Sequence, residues 1–186
     1  ADARAVALPS PFPAENLGLY CMANISTRYR DRETSVQAVS DALARLTSGK
    51  AGNYLAFFPS YAYLRQVYED FAARHPDIRT LVQESGSDDA ARAEFLAQFV
   101  PQPKETLLGF GVLGGVGLPQ VNPQQEMLRR YYDAQNGSGF DYAYRYPGMN
   151  KVLQAAGRVI RTPEDRGVVL LLDDRFARPD YARLFP

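Results

Sequence analysis

The sequence predicts an α/β domain in which a mostly parallel sheet is covered by helices on both faces. Short apolar runs of strand length alternate with segments of helical period. Those runs lack the polar alternation of half-exposed strands, as expected of strands buried on both faces. The links between them are long enough to hold a helix, with one exception.

The elements follow in order. A Pro-rich opening, PSPFP at 9–13, is extended and excludes a helix interior. LGLYCM at 17–22 reads as a short buried strand. Over 34–46, Val36, Val39, Leu43 and Leu46 form a helical stripe, and Gly49 follows as a stop. NYLAFF at 53–58 is a compact apolar and aromatic strand. Ser60 stands where an N-cap belongs, so a helix is expected over 61–74, closed by Pro76. A strand at 78–83 precedes a helix that opens at Ser87-Asp-Asp and runs through Phe99. A strand at 106–113, a helix at 123–134 capped by Asn122, a helix at 148–161 and an all-apolar strand at 167–172 complete the pattern. The exception is GGVGLP at 114–119, which runs from strand to helix with no room for a crossover of about a dozen residues.

Composition narrows the function classes. The chain has 186 residues, 46% hydrophobic and 23% charged, a balance that suits one ordinary globular domain. No stretch approaches the ~20 apolar residues of a membrane span, and residues 1–7 lack a secretory signal's pattern, so a cytoplasmic location is expected. A lone cysteine, Cys21, makes neither an internal disulfide nor an iron–sulfur site by itself. With 21 basic and 21 acidic residues the net charge is zero, which argues against a charge-driven, free-standing nucleic-acid binder. Two local basic clusters remain: Arg145, Lys151, Arg158, Arg161 and Arg166, and then Arg28, Arg30 and Arg32.

Among motifs, GFGVLG at 109–114 matches the dinucleotide fingerprint in letters only. Gly115, Gly117 and Pro119 follow, so no helix can begin where the pyrophosphate would need its N-terminus. No Walker A pattern occurs, so the chain alone lacks the lysine–glycine cradle for ATP phosphates. His75 precedes a proline at a predicted helix end and reads as a dipole partner rather than a base. The informative segment is QAAGRVIR at 154–161. On a continuous helix, Gln154, Arg158 and Arg161 share one face, and Gly157 clears space beside them. An amide and two guanidiniums on one face suit phosphate oxygens. A merely solvated face would leave unexplained an interior glycine that costs a helix roughly 1 kcal/mol.

YPGMNKVLQAAGRVIR at 146–161 resembles motif VI of superfamily-two helicases of the DinG/XPD branch. GNYLAFFPSY at 52–61 is similar to that branch's motif IV, and DRGVVLLLDDRF at 165–176 to its closing strand. SPFP at 10–13 and ISTRYR at 25–30 also fit, so the likeness covers nearly the whole chain and is nearest to bacterial DinG-like proteins. The resemblance implies a RecA-like second helicase lobe over 1–186. It would serve an ATP-dependent 5′–3′ DNA helicase engaged in DNA repair at the bacterial nucleoid. Arg158 and Arg161 would be arginine fingers for ATP and Mg²⁺ held mainly by a first lobe. Gln154 would position the γ-phosphate or the attacking water, with Gly157 beside it. Pro59, Ser60 and Tyr61 would meet single-stranded DNA, with Arg28 and Arg30 as further phosphate contacts.

The implied partners are single-stranded DNA and the first lobe, with no membrane; the isolated domain would be an inactive monomer. An iron–sulfur cluster would belong to other parts of a longer protein. The family's motif V and a following strand are missing where Gly114-Gly115-Val116 meets Gly117-Leu118. A chain gap is therefore expected between Leu113 and Leu118. The missing Walker A and the zero net charge leave a second reading open, a non-catalytic module that binds nucleic acid or protein. A third is a lobe serving a nuclease-fused or CRISPR-associated helicase.

Overall fold

The computed structural model describes residues 13–112, 122–160 and 162–185. The chain runs through β1 (Leu17–Met22), α1 (Arg32–Ser48), β2 (Asn53–Phe58), α2 (Tyr61–Arg74), β3 (Arg79–Val82) and α3 (Asp89–Ala97). It continues through β4 (Leu107–Val112), α4 (Pro123–Asn136), α5 (Tyr146–Ala156), β5 (Gly167–Leu172) and a short α6 (Pro179–Ala182). Every strand pairing is parallel. β4 lies between β2 and β3, and β1 pairs with β5. Among the described residues no strand pairing joins these two sheets.

The larger sheet is built around β4, whose residues 107–111 are all buried. On one face Phe110 stacks on Phe58 with ring centroids 5.9 Å apart. Val39, Ala42 and Leu43 of α1 and Tyr63, Leu64, Val67 and Phe71 of α2 pack over that face. Of the expected α1 stripe, Val39 and Leu43 are buried in this core, Val36 packs against it and Leu46 lies outside it. Ile25, from the loop after β1, joins this core, and Met22 and Leu172 pack against it. The smaller sheet therefore shares the core of the larger one without sharing its hydrogen bonds.

The opposite face carries α3. A Cβ on Gly109 would lie 2.6 Å from the Phe99 ring, 2.9 Å from Leu55 and 3.0 Å from the Phe95 ring. Glycine here is what allows those rings close to the sheet. Gly109 and Gly111 sit inside β4, not in a strand-to-helix turn, so their spacing reflects packing.

The helix expected over 148–161 is displaced. It starts as a π turn, Asp141–Arg145, which runs directly into α5 and ends at Ala156. The early start has local causes. Tyr142 stacks on Tyr132 of α4 at 4.1 Å, and the Tyr144 hydroxyl donates to Glu126 at 2.7 Å. Arg145 pairs with Asp141 and Asp180, each at 2.6 Å. Arg145 is therefore committed internally, and its expected place in a free basic strip is corrected. The expected gap between Leu113 and Leu118 lies outside the described residues.

Candidate functional site

The first candidate region is the turn after α5. Gly157 caps that helix, and the Arg158 and Val159 amides donate to Ala155 and Ala156, three residues back. The helix thus tightens and stops, so the continuous helix expected over 148–161 is corrected and Arg158 stands in the turn beyond it. Gly157 has φ −66°, so no left-handed conformation demands glycine. Around a Cβ placed there, only the Leu153 and Gln154 carbonyls of its own preceding turn come within 4 Å among the described residues. Gly157 is thus a helix end facing open space, and the expected interior-helix penalty does not arise.

What holds this turn is its apolar side. A Cβ on Gly167 would overlap Val159, whose side chain lies on the first residue of β5, and Ile160 is buried. Just before these anchors Arg158 is exposed and has no ion pair or hydrogen bond from its guanidinium among the described residues. Gln154 is also exposed. Arg161 lies outside the described residues.

The second region is the start of α2. Ser60 is extended (φ −161°, ψ 155°), and its hydroxyl caps the helix by accepting the Tyr63 amide at 3.3 Å. Arg32, from the first turn of α1, donates through Nη1 to that same hydroxyl at 3.3 Å and through Nε to the Thr27 carbonyl at 3.3 Å. Its guanidinium sits 5.4 Å from the Tyr29 ring centroid and 5.6 Å from that of Tyr63. A helix N-terminus, a hydroxyl and a fixed cation therefore converge, a combination that suits a phosphate. Pro59 and Tyr61 flank it, both half-buried.

Of the remaining expected DNA contacts, Arg28 is engaged and Arg30 is open. Arg28 is paired with Asp174 at 2.7 Å. Arg30 is 78% exposed and makes only a 3.5 Å contact with its neighbour Asp31.

Behind this region lies an acidic brace. Asp173, 1% exposed at the end of β5, accepts the Thr27 amide at 3.0 Å and the Thr27 hydroxyl. It also accepts the Arg175 amide at 2.9 Å and the Arg175 guanidinium at 2.6 Å. Burial alone would raise its pKa. The hydrogen bonds from Arg175 and Thr27 and the Arg175 charge outweigh that and lower it to about 2. Asp174 completes the link, with its amide donating to the Ile25 carbonyl at 2.8 Å. The loop bearing Thr27 and Arg28, which leads into Arg32 at the start of α1, is thereby fastened to the end of β5.

Sequence reading misses the Arg32–Ser60 contact and the Asp173 brace. Arg32 is visible only as a member of a basic cluster, because its partner lies 28 residues away. Asp173 looks like half of an acidic pair; its neighbours come from β1's loop, 146 residues distant. Among the described residues no group of three or more His, Cys, Asp or Glu could hold a metal ion. No described helix is long and apolar enough to cross a membrane.

The model of the Helicase C-terminal domain family matches residues 43–117 and 112–186. The ATP-dependent DNA helicase YoaA of Escherichia coli is 24% identical over 201 residues, covering 99% of this chain and 31% of that protein. The ATP-dependent helicase DinG of Mycobacterium tuberculosis is 27% identical over 192 residues, covering 96% of this chain and 29% of that protein. The chain thus spans about a third of these relatives. The aligned 201 residues also exceed the 186 of this chain, so the relative has residues without a counterpart here. Among solved structures, Xpd4 of S. tokodaii superposes with a TM-score of 0.64 at 20% identity, covering 91% of this chain and 36% of that one. An XPD helicase gives 0.68 at 18%, covering 90% and 33%. With parallel strands, helices on both faces and these likenesses, the chain is a RecA-like α/β fold and belongs to the Helicase C-terminal domain family, in its DinG/XPD branch.

Proposed function

We propose that this chain is the second motor lobe of an ATP-dependent DNA helicase that moves 5′ to 3′. The observation that carries the reading is Arg158. It is an exposed guanidinium without an internal ion pair among the described residues, on a turn that Val159 and Ile160 anchor. A surface arginine held at its backbone but free at its head fits a charge presented to a separate body. ATP and Mg²⁺ would be held by a first lobe carrying the Walker A motif that this chain lacks.

In this mechanism the lobes close on the nucleotide. Arg158, with Arg161, stabilises charge on the transferring phosphoryl oxygens, while Gln154 orients the γ-phosphate or the attacking water. Hydrolysis releases that grip and the cleft opens. Single-stranded DNA lies with a phosphate against the α2 N-terminus, where Ser60, Tyr61 and Arg32 meet it, and each cycle shifts the strand over this contact. Arg28 and Arg30 border the contact as weaker phosphate partners, since Arg28 already serves Asp174.

The test is Arg158→Ala in the helicase carrying both lobes. ATP turnover is expected to fall by at least ~10³-fold, the lower end for an arginine finger. Single-strand binding is expected to stay within about twofold, because the α2 contact is separate. Unchanged turnover would remove the assignment.

A further inference from the structure

Beside the α2 N-terminus lies a cavity of about 320 Å³ between the outer side of α2 and the end of β3. Its lining includes Tyr61, Arg65, Tyr68 and Glu69 from α2 and Gln83 just past β3, over a floor that includes Leu64. Residues 61, 65, 68 and 69 are one and two turns apart, so one side of the helix forms one wall. Leu64 is 2% exposed, so the floor is part of the core and resists collapse. At about 320 Å³ the volume is near the lower bound of ligand pockets, ~300–1,000 Å³, which suits one ring system better than a whole nucleotide.

The polar groups in the lining have defined roles. The Gln83 amide donates to the Phe110 carbonyl at 2.8 Å, and its side-chain oxygen accepts the Val112 amide at 3.1 Å. That second bond fixes the carboxamide with its oxygen toward β4, leaving the side-chain NH₂ as a donor without a partner among the described residues. Glu69 supplies an acceptor. Arg65 lies one turn before it, and neither enters an ion pair among the described residues. Tyr68 rests edge-on against Phe110 at 5.4 Å, so its ring is held in place, and Tyr61, next to Ser60, completes the α2 wall.

We propose that this cavity takes one unstacked nucleobase of the single strand whose phosphate sits at Ser60. The inference rests on the DNA track proposed above and adds a base subsite to it. Every nucleobase carries a donor beside an acceptor on its pairing edge, which a Gln NH₂ and a carboxylate can meet together. The Tyr rings offer surfaces for stacking, which is tolerant of sequence because all bases have a π-face. Glu69 disfavours a phosphate in the cavity itself, so the backbone stays at the Ser60–Arg32 side and the base turns inward. Arg65 borders the cavity and serves the next phosphate.

The experiment is an NMR titration of this chain at low salt with two short deoxyoligonucleotides. One is an ordinary strand; the other has the same backbone with abasic sugars throughout. Both are expected to shift the backbone amides of Tyr61, Ala62 and Tyr63. Only the ordinary strand is expected to shift the Gln83 side-chain amide. Tyr68→Leu is expected to weaken the ordinary strand on the order of tenfold while leaving the abasic strand unchanged. If both strands shift the α2 start and neither moves Gln83, the base subsite is overturned and the backbone track stands. If neither strand shifts α2, both the track and the subsite fall.

Discussion

At the scale of single residues, the chemistry that holds the candidate site and the chemistry that would use it are separate. Asp173 and Arg175 satisfy one another behind the loop, whereas Arg158 and Gln154 are left exposed. The brace has a pH signature. Asp173 titrates at about 2 in the folded chain, below its ordinary 3.8, so folding favours the carboxylate. Its stabilisation is complete above about pH 5 and is lost as pH falls through about 4 toward 2, a contribution on the order of 2 kcal/mol. Thermal melting between pH 5 and pH 2 should show this acid limb. In Asp173→Asn the same limb should flatten, from a lower starting stability, because Arg175 loses its buried partner. An equally steep limb in that variant would place the titrating group elsewhere.

Elements show how much of the fold the residues announce. The spans of β1, β2, α2 and β5 are legible in the sequence because each is a run whose own composition decides it, whereas the expected burial of β1 is corrected, since Leu19, Tyr20 and Cys21 are exposed. α2 is bounded by Ser60 and Pro76, and its capping hydroxyl bonds as an N-cap should. Asn122 caps α4 in the same way, accepting the Gln125 amide at 2.9 Å. The end of α5 is not legible, since Gly157 stands inside an unbroken apolar period and only the structure shows it as the C-cap, with Val159 packed on Gly167 just beyond. Ser60 is legible as the N-cap of α2, but the Arg32–Ser60 approach depends on how α1 meets α2. Gly109 is an element-scale case of the same limit, a glycine explained only by the α3 rings above it. Gly109→Val should cost about 1–3 kcal/mol by pushing Phe95 and Phe99 off the sheet. Hydrogen exchange should speed up in α3 while the α1–α2 face keeps its protection. Loss of protection on both faces together would show that α3 is not separately held.

Across the whole molecule, the division of the strands into two sheets sets the order of opening. β4 is paired on both sides and buried through residue 111, whereas among the described residues β1 and β5 pair only with each other. Leu19, Tyr20 and Val168 on that pair are 43%, 60% and 53% exposed. Two strands alone are marginal, and what retains them is Ile25 and Leu172 against the core, with the Asp173 brace at their end. We place the residues that the longer relatives add at the junction after β4, because the family match divides into overlapping parts at 112–117 and only ten residues separate Val112 from Pro123. A strand supplied there would join the sheets. In native-state hydrogen exchange under rising denaturant, β1 and β5 amides should open in an early sub-global step and β4 amides only with global unfolding. Inserting the corresponding DinG segment at this junction should merge the two steps. If β1 and β5 already exchange with β4 in the chain as it stands, core packing alone makes the sheets one cooperative unit and the short junction has no structural cost.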